Sequence, residues 1–424
     1  MSDHPKLCIG IVGGGIGGLA LAVALTRLNT TDTLQVDIYE SAAKLTQVGA
    51  GITIWPRGWE IIRELGLEDS LAAYICPGQE IAKDNQERIG FIYRKSDHPE
   101  NAVMCDLKFR GGSLSFHRAD VQQVFLAHIS PSVRVHLNRR LVSYRESDGK
   151  MQLSFKNGET AACDLLIGAD GVNSAAIREA RPLWTGTIVY RSVIESDIIR
   201  REISDHPCLV KPLVYCGKNK HVVSYPISAG KLINVVGFVS DPTKEGTFLE
   251  GPAVMSSTPD VVSSFFTGWS EEVKCIINNM SNPLRWAIEV VKPLDKYGYG
   301  RVALLGDSAH AMPVHLGNGA GQAMEDAYIL AHLLHEASKH PKIDVANLVR
   351  VYSAVRQPFG NFAARASLEQ GRLYEFTELD DVREGDVLAP EMLTRLGERI
   401  ADGWRWTWDS SVKGDLQRAL SMLQ

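Results

Sequence analysis

No stretch of this 424-residue chain approaches the roughly 18 uninterrupted apolar residues of a membrane-spanning helix, so no membrane partner is expected. An excess of positive charge is also missing. The 45 lysines and arginines against 50 acids leave a net charge of −5, which offers no cationic field to nucleic acid. The N-terminal MSDHPK enters an apolar segment at once, without the apolar core of a signal peptide, and the cytoplasm is the expected compartment. The seven cysteines (Cys8, Cys76, Cys105, Cys163, Cys208, Cys216 and Cys275) are odd in number and include no C-x-x-C pair. They read as reduced thiols rather than a disulfide framework, with Cys8 and Cys163 as small core residues inside apparent strands. Internal repeats and low-complexity segments are absent, and no metal site is expected.

What is present is an ordinary globular composition, 45% hydrophobic and 22% charged, in a chain long enough for two or three domains. Its organising segment is Leu7 to Glu40. An apolar run (Leu7 to Val12) precedes Gly13, Gly15 and Gly18 in G-x-G-x-x-G spacing, then Ile16 to Leu28 is apolar at helical intervals, and Val36 to Tyr39 forms a second strand. Gly13 permits the tight turn, Gly15 lets backbone approach a pyrophosphate, and Gly18 lets the helix lie close to the sheet. Glu40, 22 residues after Gly18, stands where a carboxylate meets a ribose hydroxyl. An adenine dinucleotide is expected here, and this motif by itself does not choose between FAD and NAD.

Further along, Val48 to Ile52 is a loop of small residues that reads as a plain turn or as backbone lying beside a flat ring. Residues 79 to 115 are mixed strand and loop. Arg118 opens a helix, where a cation opposes the helix dipole and calls for an anionic partner, either a pyrophosphate or a structural carboxylate. Val133 to Val135, Leu141 to Tyr144, Met151 to Phe155 and Thr160 to Cys163 read as a meander with tight hairpins at Asp148-Gly149 and Asn157-Gly158. It leads into the buried strand Asp164 to Gly168 and then Asp170, Gly171, Ser174 and Arg178. From Trp184 to Val239 strands follow one another without helices (Thr187 to Ile194, Leu209 to Cys216, Val222 to Ile227, Leu232 to Val239), which indicates a separate antiparallel sheet able to wall a pocket.

Arg301 to Leu305 returns as a buried strand, followed by Gly306-Asp307-Ser308-Ala309-His310, Pro313, His315 and the run Gly317 to Gly321. A helix is predicted over Gln322 to Glu336. Amides of Gly319 and Ala320 before it make a positive end, and Asp307 can accept from a ribityl hydroxyl. His310 in isolation reads more readily as a packed histidine than as a catalyst. Beyond 340 the pattern is helical, with Pro358 expected to kink the stretch Asp344 to Tyr374. The cluster Trp404-Arg405-Trp406-Thr407-Trp408-Asp409 reads as a packing latch.

Taken together, G-x-G-x-x-G at Gly13 to Gly18, D-G-x-x-S at Asp170 to Ser174 with Arg178, and G-D-x-x-H at Gly306 to His310 resemble the group A flavoprotein aromatic hydroxylases. Within that group, Val189-Tyr190-Arg191, His221 to Ile227, Gly317 to Asp326 and the tryptophan run are most similar to salicylate hydroxylases and related fungal enzymes. Many relatives have a proline one position later, or two prolines, where this chain has Pro313-Val314. The resemblance covers essentially the whole chain and implies an α/β fold. Its parts would be a Rossmann-like FAD-binding domain over 1–183, interrupted by substrate-domain strands around 75–115; an antiparallel substrate sheet over 184–290; a return of the FAD domain over 291–340; and a helical region over 341–424.

The resemblance further implies that Glu40, Ala50, Gly51, Arg118, Asp307, Gly319 and Ala320 contact FAD, and that Asp170 bridges towards the nicotinamide and flavin pyrophosphates. The implied chemistry is NAD(P)H-dependent hydroxylation of a phenol by dioxygen through a flavin hydroperoxide, in a monomer or homodimer. Arg191 is the candidate partner of a substrate carboxylate, and His315 and Tyr225 are the candidates for handling the phenol proton. Decarboxylative conversion of salicylate to catechol is the favoured outcome. Dearomatisation of an alkylated phenol in fungal secondary metabolism is the alternative, with an arginine and a tyrosine resembling Arg191 and Tyr225. An FAD dehydrogenase without oxygen transfer and a non-catalytic NAD-binding protein are the remaining readings.

Overall fold

In the computed structural model, residues 6–28, 33–45, 51–76, 79–81, 86–111, 113–176, 181–340 and 344–423 are described; Val48, Gly49, Ala50 and Arg178 lie outside them. The strand Leu7–Val12 pairs in parallel with Leu34–Tyr39 on one side and Leu165–Gly168 on the other, and Val302–Leu304 adds beyond the latter. These strands are near-continuous apolar runs because helices cover them, as parallel sheets require. Helix Ile16–Arg27 comes close to helix Gly319–Lys339 at Gly17, where an added Cβ would meet Leu305 Cδ1 at 2.6 Å and Ala323 Cβ at 3.2 Å.

The outer edge of this six-stranded sheet is Arg134–His136, parallel to Leu34–Tyr39. That corrects its expected place in the meander, which begins only at Leu141–Ser147. The edge is fixed by charge rather than by an apolar pattern: Arg134 Nη2 and His136 Nε2 lie 2.6 and 2.7 Å from the Asp37 carboxylate. Its three residues carry little periodic signal.

The second sheet has eight strands, in the order Val254–Ser256, Leu284–Val290, Leu183–Glu195, Leu232–Ser240, Lys220–Ile227, Leu213–Gly217, Glu87–Lys95 and Ala102–Arg110. The strand expected to begin at Leu209 begins at Leu213 instead. Pro207 starts a short 3-10 turn, Pro207–Leu209, and Pro212 cannot donate to a ladder. The ribbon formed by Gly51–Ile54 and Leu114–His117 joins the two sheets, with Gly51 N donating to Asn234 Oδ1 at 2.9 Å.

The chain then turns helical. Val345–Tyr374 runs on through Pro358, which does not interrupt it, and Pro390–Trp404 and Val412–Leu423 follow. A buried charge network ties these late helices to the first sheet. Arg57 bonds Glu325 at 2.7 Å and Asp415 at 2.7 Å; Arg356 bonds Asp326 at 2.7 Å and Glu325 at 3.0 Å. His310 Nε2 and Gly306 N meet the same Asp326 oxygen, at 2.6 and 2.9 Å. His310 is therefore a packed residue that pins the Gly306-Asp307 turn. No helix among the described residues is long and apolar enough to cross a membrane.

Candidate active site

Four neighbouring parallel strands end at one edge of the first sheet, and the carboxyl ends of such strands are where open α/β sheets bind ligands. Val12 leads to Gly13, Tyr39 to Glu40, Gly168 to Asp170, and Leu304 to Gly306 and Asp307. Motifs up to 300 residues apart thus meet at one crevice. The cavity there is about 520 Å³ and is lined by Gly13, Gly15, Glu40, Gly51, Arg118, Asp170, Asp307, Gly319 and Ala320, together with Arg191, Tyr225 and His315. Gly18 does not line it. A Cβ on Gly18 would stand 2.1 Å from the Gly13 carbonyl oxygen, so this glycine serves the close approach of helix and turn.

The turn is built for a ligand that needs bare backbone. Gly13 has φ +112° and leaves 2.2 Å between a hypothetical Cβ and the Ala169 carbonyl, a space open only to glycine. Glu40 accepts from Gly14 N at 2.8 Å and Ala42 N at 2.7 Å, which fixes its carboxylate beside the turn. Asp170 accepts from Ser174 Oγ and from Ala175 N, and burial pushes its carboxyl up against the opposing pull of those bonds. Arg118 is the first residue of helix Arg118–Ala127. Burial lowers its pKa, Asp307 opposes the shift, and its Nε has no partner among the described residues. Across the crevice, the 21-residue helix Gly319–Lys339 presents its N-terminus, with no acidic residue in its first turn. A glycine cradle, a carboxylate at the end of the neighbouring strand, a buried unpaired guanidinium Nε and a helix N-terminus suit a dinucleotide phosphate.

Glu40→Ala is expected to weaken FAD binding by about 10- to 150-fold, the equivalent of roughly 1.5–3 kcal/mol for a charged hydrogen bond. Fluorescence titration of the apoprotein with FAD reads this directly. Unchanged affinity would leave Glu40 as a brace for the turn.

The other wall is the face of the eight-stranded sheet. Arg191 lies opposite Val236, Val236 opposite Val223, Val223 opposite Val214, and Val214 opposite Tyr93. These five residues form one row across five strands and all line the cavity. Tyr225, Phe238 and Phe91, two residues along their strands, belong to the same face by the two-residue period. The row is apolar between a cation at one end and a phenol at the other. Arg191 has no ion pair among the described residues, and its Nε is a buried orphan; burial lowers its pKa, with Tyr225 opposing and Arg118 reinforcing. Tyr225 is raised by burial and held back by Arg191 and Thr53, and its hydroxyl packs on Gly51, where a Cβ would stand 2.4 Å away.

His315 sits in the 3-10 turn Val314–Leu316 beneath the long helix, whose Gly371 leaves room for the imidazole. Ser367 of that helix donates to the Pro313 carbonyl and accepts from Leu316 N at 3.2 Å. The Pro313 oxygen is thus engaged within the protein. Burial, then His221, bring the His315 pKa down to about 3, so its imidazole is neutral at ordinary pH.

The composition and periodicity did not reveal Trp404, Trp55 and Tyr93 as a cavity wall. Trp404 Nε1 donates to the hydroxyls of Tyr93 and Tyr374 at 3.1 and 3.0 Å, and its ring meets Trp55 edge-on at 4.5 Å. The tryptophan run is a packing latch whose first member also faces the cavity. Arg139 and Arg140, near the Glu40 end, carried no motif that marked them. Among the described residues no cluster of side chains able to hold a metal ion is found.

The FAD binding domain family matches residues 6–240 and 284–367. A salicylate hydroxylase of Pseudomonas putida is 32% identical over 98% of this chain and 95% of its own length. A 6-methylsalicylate 1-monooxygenase of Aspergillus terreus is 31% identical over 83% of this chain and 80% of its own. A solved salicylate hydroxylase substrate complex superposes with a TM-score of 0.80 at 28% identity, covering 98% of both chains.

Proposed function

The chain belongs to the FAD-dependent aromatic monooxygenases, and from that premise we propose that it hydroxylates a phenolic aromatic acid, with salicylate going to catechol and carbon dioxide. The observation that carries this reading is the row from Arg191 across three valines to Tyr93: a flat aromatic ring covers the apolar part and a carboxylate meets the guanidinium. A buried cation without an ion-pair partner on an apolar floor is costly unless an anion joins it. Bound FAD supplies the redox chemistry, with NAD(P)H as reductant and dioxygen as oxidant. Gly13, Gly15, Glu40, Asp170, Asp307 and the amides of Gly319 and Ala320 would hold it.

The chain's own residues then have three tasks. Arg191 orients the substrate by its carboxylate, the valines and Phe238 exclude water from the ring, and neutral His315 takes the phenol proton, since a phenolate is the more reactive nucleophile. The electrostatic coupling of Arg191 and Tyr225 also favours a second reading, in which the pair holds a phenolate oxygen and the product is dearomatised.

A panel of phenols with and without carboxylates, scored by stimulated NADH oxidation and product identity, tests the assignment. Catechol from salicylate is the expected result, and its absence there with product from an alkylphenol would promote the second reading. His315→Ala is expected to lower product formed per NADH about tenfold or more, as loss of a general base does, with peroxide making up the difference. Flavin reduction should change far less. Normal product per NADH would return the proton to Tyr225 or to water.

A further inference from the structure

Behind the cavity, three titratable side chains from three elements converge on one spot. His221 Nδ1 lies 2.9 Å from Glu375 Oε1, and the His221 and His315 rings are 5.3 Å apart, with Phe238 stacked on His221 at 3.8 Å. Glu375 is 4% exposed at the C-terminal end of the long helix Val345–Tyr374, and among the described residues it has no lysine or arginine partner. His221 Nε2 and His315 Nδ1 are both buried without partners among the described residues. A buried carboxylate set against neutral imidazoles is a poor way to hold a helix end, because each uncompensated group costs desolvation energy. The arrangement makes sense if a proton arrives during the reaction.

We propose that Glu375, held by His221, is a positioning residue that acts through His315: its ionised carboxylate offsets the charge His315 gains when the substrate phenol gives up its proton. This rests on the reading of His315 as the proton acceptor. In the step, the phenol O–H bond breaks, its proton joins a ring nitrogen of His315, and the electron pair stays on the phenolate oxygen. No net charge is created between the two walls.

Burial raises the Glu375 carboxyl to about 7, against the opposing pull of His315 and of a hydrogen bond from Ser240. The other groups facing it are His221 from strand Lys220–Ile227 and Cys216 from strand Leu213–Gly217, the latter a thiol pushed well up by burial. Burial also keeps His221 neutral, at about 3. Below about pH 7 Glu375 is therefore protonated, and a positive His315 would stand unopposed. Phenol ionisation at the site should rise as pH climbs through about 7.

The test uses the FAD-loaded, oxidised enzyme and a nitrosalicylate, whose phenolate absorbs in the visible, so that ionisation on binding is read without turnover. In wild type the ionised fraction should rise through an apparent pKa near 7. In Glu375→Gln the rise should disappear and the fraction at pH 8 should fall about tenfold, with the dissociation constant changed far less. A wild-type fraction flat between pH 6 and 8, a result needing no variant, would overturn the proposal; so would a Glu375→Gln profile matching wild type. An enzyme that ionises the bound phenol in this way yet hydroxylates no phenol would sink the proposed function and leave the role of Glu375 standing.

Discussion

Arg191→Ala is expected to lower kcat/KM for salicylate by about 10²- to 10⁴-fold, because removing one partner of a buried ion pair costs roughly 3–5 kcal/mol. The size of the effect follows from the floor around it. Val236, Val223 and Val214 continue the row from Arg191, so its nearest neighbours in that row offer no polar group to take over the carboxylate. Arg118 keeps some positive potential near the site, which sets the ceiling on the loss. Arg191→Lys should recover only part of the rate, since lysine restores the charge without the planar pair of donors. Both variants are to be compared with wild type on salicylate and on a carboxylate-free phenol, with catechol and carbon dioxide assayed. A loss confined to salicylate supports carboxylate pairing. Equal losses on both substrates would mean that Arg191 stabilises a phenolate oxygen, and the salicylate assignment would fall to the dearomatising one.

The second large effect is on stability. Arg356→Ala should cost roughly 3–5 kcal/mol, because it strands two buried carboxylates that share its guanidinium. Glu325 retains Arg57, whereas Asp326 keeps only His310 as a side-chain partner among the described residues. Asp326 also accepts from Gly306 N, so the variant should release FAD more readily as well as unfold at lower urea. Arg356→Met, which keeps much of the volume, separates lost charge from lost packing. The sign of the pH dependence is fixed. Burial alone would raise the Asp326 pKa, but His310 and Arg356 outweigh it and hold the group at about 2. Its contribution, on the order of 2 kcal/mol, is complete above the usual carboxylate range and is lost as pH falls from about 4 to about 2. In Arg356→Ala that loss should be smaller and complete at higher pH, because the folded-state pKa moves up towards the unfolded one. A urea midpoint and FAD retention equal to wild type would show that Arg356 is dispensable to the network.

The parts of the site that could be read from the chain are those whose chemistry is local. A glycine turn, a carboxylate at a strand end and a strand followed by small residues each lie within about six residues, and backbone geometry alone demands them. The parallel order that brings Gly13, Glu40, Asp170 and Asp307 together was likewise implied, because apolar strands followed by helices have few ways to pack. Other features depend on partners too distant to pair by inspection. Glu375 meets His221 across 154 positions, and Trp404 meets Tyr93 across 311. The edge strand Arg134–His136 went to the wrong neighbour because its pairing is set by Asp37 and not by any alternation of its own. Tyr225 and Arg191 were singled out from their segments, but their common face with three valines needed the register of five strands.

The long reach of these pairings bears on how the molecule is made. Leu7–Val12 gains the parallel neighbour on its second side only when Leu165–Gly168 has been synthesised, and that strand in turn waits for Val302–Leu304. Arg57 is satisfied later still, by Glu325 and Asp415, and the aromatic wall lacks Trp404 until 311 positions after Tyr93. Loop-closure entropy must be met before such distant contacts repay it, which slows folding and leaves early apolar strands exposed meanwhile. The crevice cannot grip its cofactor tightly until Asp307, Gly319 and Ala320 have followed Gly13 by about 300 residues, so capture of FAD comes after these long-range pairings rather than acting as a nucleus for them.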